Sequence, residues 1–405
     1  GLDALSAFFL LAVLLLATLS AVYVVGYLGG EKASPRAAGS WAFFNLLVLS
    51  MALVVVARHA FLFLLAWETM ALASFFLVVY HHEQAEVRKA SWIYLVATHL
   101  GALCLPPMFF LLASRSSLDF DALGLGLSPQ AASVCFVLAL VGFGTKAGLM
   151  PFHVWLPEAH PAAASHVSAL MSGVMIKTGV YGLLRVLTLL DEPQLWWGWL
   201  LLALGAVSTF LGVLLALAQH DLKRMLAYCS IENVGIIVLG LGAGVVGLAS
   251  QAPAVAALGF AAALLHVLNH AVFKRLLFMG AGSVIKATGT GEIDALGGVL
   301  RRMPVTGGTF LVGSIAISGL PPLNGFVSEL LLYWSGILGA SRLDARAAMP
   351  LGVMVALVGT AGALALATFT KSFGVVFLGL PRGEHGRLVA DPAFSMRAAM
   401  LVLAA

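Results

Sequence analysis

The sequence predicts an all-α polytopic membrane protein, built as two inverted repeats of five helices that each contain a broken transmembrane helix. Composition gives the class: 61% of the 405 residues are hydrophobic, 10% are charged, and the mean hydropathy is +1.02. Soluble domains average about 25% charged and 45–50% apolar residues. Long apolar runs supply the spans, and proline clusters inside two of those runs predict the breaks.

The apolar runs are long enough for about 20 residues per crossing, as helices need. Helices and closed barrels alone satisfy every backbone group in lipid, and these runs exceed the short alternating strands of a barrel. We place the spans at 2–28, 40–57, 59–80, 91–113, 131–150, 165–190, 195–218, 225–248, 254–279, 305–338 and 349–379, with a twelfth that starts near 396.

Lysine and arginine in the loops predict the orientation, because cytoplasmic loops are enriched in them. Loops after odd-numbered spans hold Lys32, Arg36, Arg88, Lys89, Lys223, Arg224, Lys286, Arg301, Arg302, Arg382 and Arg387. Loops after even-numbered spans hold Arg58, Arg115, Arg185, Arg342 and Arg346. We therefore expect residue 1 on the outer side of a cytoplasmic membrane. The net charge of +4 is a topology signal, and no basic stripe with interleaved aromatic residues indicates nucleic-acid binding.

Two spans are interrupted. The fifth ends in "MPFHVWLPEAHPAA", and the tenth contains "SGLPPLNGF". Proline removes a backbone donor, and irregular backbone at membrane depth is tolerated only where protein buries it or a wet cavity reaches it. The residues that we expect to break the helices are Pro151, Pro157, Pro161, Pro321 and Pro322.

Broken helices in corresponding positions of two halves point to a transport site between inverted repeats. The third to seventh and the eighth to twelfth spans form such halves. We therefore divide the chain into N-terminal transmembrane helices at 1–57, a first half-channel at 58–220 and a second at 221–405.

Titratable side chains fall inside several spans, where a charge costs about 2.5–3.5 kcal/mol on insertion scales. The candidates for proton translocation are Glu68, Lys146, Lys177, His266, His270, Lys274 and Glu329. A lysine held away from water can exchange its proton near neutral pH, and imidazoles act as relays. Glu68 would favour the charged form of Lys146, and separating that pair would release the proton. Residues 266, 270 and 274 are spaced to share one helix face.

Simpler interpretations stay open for each candidate. Lys146 and Lys177 can form structural ion pairs or snorkel, Glu68 can hydrogen-bond a neighbouring helix, and Glu329 can line the second break. The two histidines can pack in the core or bind zinc, which suits histidines four residues apart. Weaker candidates, for which a structural role is at least as good an explanation, are Lys371, His99, Glu232 and His160. Cys104, Cys135 and Cys229 show no paired spacing.

Five motifs, taken together and in order, resemble the antiporter-like proton-pumping subunits of respiratory complex I, Mrp cation/proton antiporters and membrane-bound nickel–iron hydrogenases. They are "WETMALASFFLV", "GTKAGLMPFHVWLPEAHPAAASHVSALMSGVMIKTGVYGLLR", "DLKRMLAYCSIENVGII", "NHAVFKRLLFMGAGSVI" and "SGLPPLNGFVSELLLY". The stretches "SIENVGII" and "ATGTGEIDALGG" look most like the large membrane subunit of formate hydrogenlyase and related hydrogenases, the hydrogenase-four component B type.

The resemblance implies two inverted five-helix half-channels. Glu68 would match the glutamate that pairs with the pumping lysine, Lys146 that lysine, and Lys177 the bridging lysine of the next helix. His266, His270 and Lys274 would match the connecting axis, and Glu329 the exit residue, where some relatives carry lysine. Two helices before residue 1 and several after Ala405 would be absent from this chain.

The sequence therefore predicts a proton-translocating subunit of a redox-driven complex in the bacterial cytoplasmic membrane. Its partners would be further membrane subunits and a hydrophilic redox arm of the hydrogenase or complex I kind. A sodium/proton antiporter subunit of the Mrp type and a membrane scaffold for an enzyme arm are the alternatives. We expect no cofactor in this chain, because it carries no nucleotide-binding glycine loop, no CxxC cluster and no haem motif. Whether the chain counts as part of an enzyme depends on those partners.

Overall fold

The computed structural model describes residues 1–29, 34–382 and 389–405, and helices account for nearly all regular structure in them. The chain first forms α1 Ala4–Tyr27, α2 Pro35–Val56, α3 Ala60–Val78, α4 Ala85–Ala102, α5 Leu105–Leu112, α6 Pro129–Ala147, α7 Leu156–Ala162, α8 Ser165–Leu170 and α9 Ile176–Leu189. It continues with α10 Leu195–Leu217, α11 Leu222–Ala249, α12 Pro253–Thr288, α13 Pro304–Ile317, α14 Asn324–Arg342, α15 Ala345–Phe377 and α16 Phe394–Ala404. A π-helical turn, Met171–Met175, joins α8 to α9.

The predicted class is confirmed. In the described parts of the chain, ten helical segments are long and apolar enough to cross a membrane, and α13 and α16 are shorter apolar helices. The tenth predicted span, 305–338, is formed in two pieces by α13 and α14, as its predicted interruption requires. α12 also runs beyond the predicted 279 to Thr288.

Both predicted breaks are present. α6 stops at Ala147, where Gly148 takes a left-handed φ of 80°, and α7 starts further on, at Leu156. The second break separates α13 from α14 and contains Pro321 and Pro322. Pro151 lies in the first break.

Two of the predicted helix-breaking prolines lie elsewhere. Pro157 and Pro161 belong to α7, Pro157 within its first two positions and Pro161 inside it. Proline is tolerated in a first helical turn because the amide it lacks would have no partner there. These two residues therefore shape the short helix after the break, and the break itself falls at residues 148–155.

Side-chain contacts sort the loops into two ends of the bundle. At one end, Arg224 pairs with Glu158, Arg36 with Glu83 at 3.1 Å, and Lys371 donates to the Leu217 carbonyl at 2.9 Å. We call this the basic end. It carries the loops assigned above to the cytoplasmic side, although Lys32 and Arg387 lie outside the described residues. The opposite end carries the loops before α3, α6 and α10.

Two isolated antiparallel bridges occur, one in each part of the chain. His59, just before α3, pairs with Asp119, which precedes α6. Asp221, just before α11, pairs in the same way with Glu292, which precedes α13. The first bridge lies at the opposite end and the second at the basic end. Each bridge thus joins the start of one helix to the segment before a broken helix, α3 to α6–α7 in the first case and α11 to α13–α14 in the second.

The centre of the bundle is formed by α8–α9 and α11, which are buried almost throughout. Glycines let the neighbours of α11 come close. Gly198, Gly205 and Gly212 of α10 recur every seventh residue, and a Cβ at Gly205 would lie 2.9 Å from the Gly235 carbonyl oxygen of α11. On the other side, a Cβ at Gly240 would lie 2.9 Å from the Gly259 carbonyl oxygen of α12. Small residues at such contacts let helix backbones pack closely in lipid.

An ion-pair cluster ties α1 to α9 at the opposite end. Both terminal nitrogens of Arg185 donate to the Asp3 carboxylate, at 2.7 and 2.8 Å, and Arg58 lies 3.3 Å from it. The hydrogen bond from Arg185 holds the pKa of Asp3 well below its usual range, and the Ser6 amide lowers it further. A bidentate arginine–carboxylate pair, with two parallel hydrogen bonds, is stronger than an ion pair with one.

We expect Asp3→Asn to lower the free energy of unfolding by about 1–2 kcal/mol at neutral pH, since Asp3 is part-exposed and partly screened. Because folding lowers the pKa of Asp3, the contribution is present above pH about 4 and disappears as the pH falls further. Thermal unfolding in detergent at neutral and acid pH measures both effects.

Asp121→Asn is the matched control, because Asp121 pairs with Arg58 but is 76% exposed, and exposed pairs contribute little. Equal losses for the two variants would contradict the prediction.

Candidate functional site

Lys146 lies at the point where the first broken helix stops. It is 1% exposed, in the last turn of α6, where the helix dipole favours a positive charge. Its ammonium donates to the Tyr94 hydroxyl of α4 at 2.9 Å, and that hydroxyl lies 2.5 Å from the Ser74 hydroxyl of α3. The structure thus provides Lys146 with neutral hydroxyl partners that can pass a proton.

The break also satisfies its own backbone. The Trp155 indole donates to the Thr145 carbonyl at 2.8 Å, and the Ser208 hydroxyl of α10 accepts from the Met150 amide at 3.0 Å. These bonds replace helical ones that the interruption removes. Protein covers both ends of the irregular segment, at 148–150 and at Trp155, while Pro151 and Val154 between them are exposed.

The expected pair between Glu68 and Lys146 is not formed. Glu68 points away from Lys146 and lies 3.2 Å from His99, and both side chains are about two-fifths exposed on the outside of the bundle. The reason is helical geometry. Ser74, which reaches Tyr94, is six residues after Glu68, and at about 100° per residue the two face different directions. His99, one of the weaker candidates, is therefore the partner of Glu68.

Lys177 is held by the π-helical turn. It lies 2% exposed in the first turn of α9, and its ammonium donates to the Ser172 carbonyl. A π-turn shifts the hydrogen-bond register and is found frequently at functional sites. The Ser172 hydroxyl contacts the Ser230 hydroxyl of α11 at 2.8 Å. The turn therefore links Lys177 of the first half to the central helix of the second.

The predicted face of α12 is confirmed as a buried row. His266 is bonded at both ring nitrogens, to the Ser328 hydroxyl at 2.9 Å and to the Asn233 amide oxygen at 3.1 Å. Its ring lies nearly parallel to that of His270, with centroids 6.4 Å apart. The ring nitrogens of His270 and the ammonium of Lys274 are buried and have no hydrogen-bond partner within the described chain.

In the ranges that the structure describes, no three side chains of the metal-binding types come together. Both nitrogens of His266 are engaged by Ser328 and Asn233.

Glu329 lies beside the second break. It is 6% exposed on α14, and a Cβ at Gly319 would lie 2.5 Å from its carboxylate. Gly319 also has a φ of +63°, so the turn and the carboxylate both require glycine there.

Glu232 of α11, one of the weaker candidates, is buried among the stronger ones. It is 1% exposed, one of its carboxylate oxygens has no partner in the described chain, and it interacts electrostatically with Lys274 and Glu329. The sequence signal that could have found it is its position: Glu232 is the single acidic residue of a long apolar helix, α11, as Glu68 is of α3.

Together these side chains form a row through the middle of the bundle. It begins with Tyr94 and Lys146 at the end of α6, against which α9 packs. It continues from Lys177 of α9 to Lys274, and then by Glu232, His270 and His266 to Glu329. We call it the central row. Both broken helices contribute to it, and α8–α9, α11 and α12 carry the part between them.

Comparison with known proteins agrees with this architecture. The family model described as "NADH:quinone oxidoreductase/Mrp antiporter, TM" matches residues 57–343, which include Glu68 and the whole central row. The chain belongs to this family. The match starts just before α3 and ends just after α14, so the matched part holds both broken helices.

Among relatives of this antiporter family, hydrogenase-4 component B of Escherichia coli K12 is 43% identical over all of this chain, covering 60% of its own length. Formate hydrogenlyase subunit 3 of the same strain is 39% identical over 89% of this chain and 58% of its own. The chain thus spans about three fifths of the curated relatives that it matches. The solved Mrp complex from Dietzia sp. superposes with a TM-score of 0.82, at 20% identity, over 100% of this chain and 79% of the solved chain.

We expect Gly179→Ala to lower the free energy of unfolding by about 1–3 kcal/mol, as overpacking does. A Cβ at Gly179 of α9 would lie 2.5 Å from the Phe143 carbonyl oxygen and 2.8 Å from the Ala147 amide, so it pushes α9 away from the end of α6. Thermal unfolding of the purified protein measures the loss.

Gly308→Ala is the control, because a methyl group added at this glycine of α13 would meet nothing within 4 Å beyond its own stretch of helix, and alanine favours helix. A stability loss of equal size in both variants would contradict a packing effect specific to Gly179.

Proposed function

We propose that the chain is the proton-translocating, antiporter-like membrane subunit of a redox-driven complex, with half-channels at 58–220 and 221–405. The observation that supports this most directly is the central row, in which buried titratable side chains connect the two broken helices. Several charges in separate helices are costly in a membrane unless they pair or meet water. A chain that otherwise excludes charge keeps these for transport.

The row has the chemistry of a relay. Lysine and histidine bind and release protons at nitrogen, tyrosine and serine hydroxyls pass them on, and a buried carboxylate at either α11 or α14 accepts them. Lys146, Lys177, Lys274 and Glu329 are then the stations, with His266 and His270 between them. Energy would come from electron transfer in partner proteins.

A cavity at the basic end is suited to proton uptake. It has a volume of about 440 Å³ and lies against α7, Lys223 and the Arg224–Glu158 ion pair. Lys223 donates to the Pro161 carbonyl at 2.9 Å, and His160 and His166 are buried just behind it. We assign this cavity to the cytoplasmic side of a bacterial inner membrane, as the basic loops indicate.

Glu68 and His99 mark the surface for a membrane partner. They line a groove of about 440 Å³ whose other residues are Val96, Leu100, Ala102, Leu103 and Pro106. An ion pair facing hydrocarbon is unfavourable, so a neighbouring subunit is expected to cover it. The relatives are named as a component or a numbered subunit, which supports further membrane subunits and a hydrophilic redox arm as partners.

We expect Lys146→Met to reduce redox-driven proton uptake per turnover by about tenfold or more, because the variant keeps the side-chain length and loses the titratable nitrogen. The measurement uses inside-out vesicles that contain the intact complex, with a pH-sensitive dye and the electron-transfer rate recorded together.

Lys371→Met is the matched control, because Lys371 is part-buried at the basic end, where it donates to the backbone carbonyls of Leu217 and Gln219, outside the central row. Proton uptake per turnover that is normal in an assembled Lys146→Met complex would overturn the proposal. Sodium-dependent pH changes without any electron donor would instead favour an Mrp-type Na⁺/H⁺ antiporter subunit, to which the family match also extends.

We expect the double variant Glu68→Leu/His99→Leu to lose membrane partners during purification in mild detergent. If Glu68 and His99 faced only lipid, replacing them with leucine would leave the complex at least as stable. Co-purification of the other subunits measures this, and Thr360→Leu, on the exposed face of α15, is the control. Full retention of partners in the double variant would contradict the assigned surface.

A further inference from the structure

Arg275 is a buried guanidinium that the relay described above does not use. It follows Lys274 on α12, is 0% exposed, and none of its three nitrogens has a hydrogen-bond partner in the described residues. It lies against the π-helical turn: a Cβ at Gly173 would come 2.9 Å from Nε and 3.3 Å from Cζ. Glycine at 173 therefore makes room for this side chain.

The charge on Arg275 is permanent, since a guanidinium is not deprotonated in proteins. Within the described chain no carboxylate forms an ion pair with it. An uncompensated buried charge weakens a fold, and replacing it with an apolar side chain of similar size is often neutral or stabilising. The fold itself thus gains nothing from this charge, which points to another role.

The position of Arg275 is the junction between the two halves of the central row. Lys177 of α9 interacts electrostatically with both Lys274 and Arg275 of α12. Within the described chain, the π-helical turn offers Lys177 one backbone oxygen, that of Ser172. This carbonyl accepts a hydrogen bond from the Lys177 ammonium. A species passing this point meets the ammonium groups of Lys177 and Lys274 and a fixed positive charge. The oxygen atoms close by are the Ser172 and Ser230 hydroxyls and the Glu232 carboxylate, which are too few to replace the hydration shell of a metal ion.

Protons and alkali metal cations differ in what they need at such a point. A proton forms an N–H bond with the lone pair of a lysine or histidine nitrogen, whereas hard cations are bound by oxygen atoms that replace their hydration shell. A fixed cation also repels any metal ion that approaches without such ligands. Arginine excludes cations from other membrane pores by this electrostatic barrier.

We infer that Arg275 is a specificity-determining residue, whose permanent charge at the junction of the two halves excludes Na⁺ and K⁺ from the central row while protons move between the neighbouring nitrogens. This inference rests on the proposed function and adds the identity of the ion. It makes the chain a carrier of protons alone, even though its family includes antiporters of alkali cations.

The test uses the intact complex in inside-out vesicles and compares the wild type with Arg275→Met and Arg275→Lys. Redox-driven proton uptake and uptake of radioactive ²²Na⁺ are measured in the same preparation. We expect no turnover-linked Na⁺ uptake in the wild type or in Arg275→Lys. In Arg275→Met, Na⁺ uptake should rise on the order of tenfold or more above the wild-type background. Assembly and thermal stability of Arg275→Met should equal or exceed those of the wild type.

Na⁺ uptake by the wild type, or continued exclusion of Na⁺ by an assembled Arg275→Met complex that pumps protons, would overturn the inference. Arg275→Gln repeats the measurement with a polar neutral side chain. Failure of both neutral variants to assemble counts against the inference too, because it would assign Arg275 a structural role. These outcomes are distinct from failure of the proposed function, in which the wild type itself shows no redox-driven proton uptake.

Discussion

Charge burial in a lipid-embedded bundle is the constraint on which the other features depend. A lysine or glutamate facing hydrocarbon costs several kcal/mol. The helices that carry such residues are therefore covered by further helices. This is why α8–α9 and α11, the helices buried almost throughout, carry or adjoin the central row. Glycines at positions 205 and 240 bring α10 and α12 close to α11, and that contact closes the row off from lipid on both sides.

The interruptions in the helices follow from the same constraint. A straight α-helix uses its own carbonyls, so it offers a buried ammonium no backbone acceptor. The π-helical turn at Met171–Met175 exposes the Ser172 carbonyl to Lys177, and the end of α6 presents Lys146 to the Tyr94 hydroxyl. Each irregular segment therefore stabilises one cation where the regular helix would leave it without a partner. In the proposed function, the geometry that stabilises each cation is also the geometry through which it exchanges its proton.

Much of the fold is predictable from sequence because its signals are local. Apolar runs of the required length indicate the spans, and proline clusters indicate both breaks, although Pro157 and Pro161 belong to α7. The row His266, His270 and Lys274 follows from the spacing along one helix. Which way a side chain points relative to other helices is a property of packing. Glu68 lies beside His99 and not at Lys146, and the neighbours that make Glu232 central, Lys274 and Glu329, are distant in sequence.

The π-helical turn has no clear signal in the sequence either. No proline marks it in "LMSGVMIK", and its Gly173 packs against Arg275, about a hundred residues away. A single sequence does not show that contact, so the backbone acceptor of Lys177 cannot be predicted from it.

Glu232 and Glu68 show how the two parts of the chain differ. Glu232 is enclosed, because α10 and α12 cover both sides of α11 and Glu329 lies within electrostatic range. Glu68 is likewise the single acidic residue of its helix, α3, but its carboxylate reaches the surface and pairs with His99. The second half thus encloses its carboxylate within this chain, whereas the first leaves its carboxylate at the outer face of the bundle. If the halves work alike, the enclosure that α12 and α14 give to Glu232 has to be supplied to Glu68 by another polypeptide.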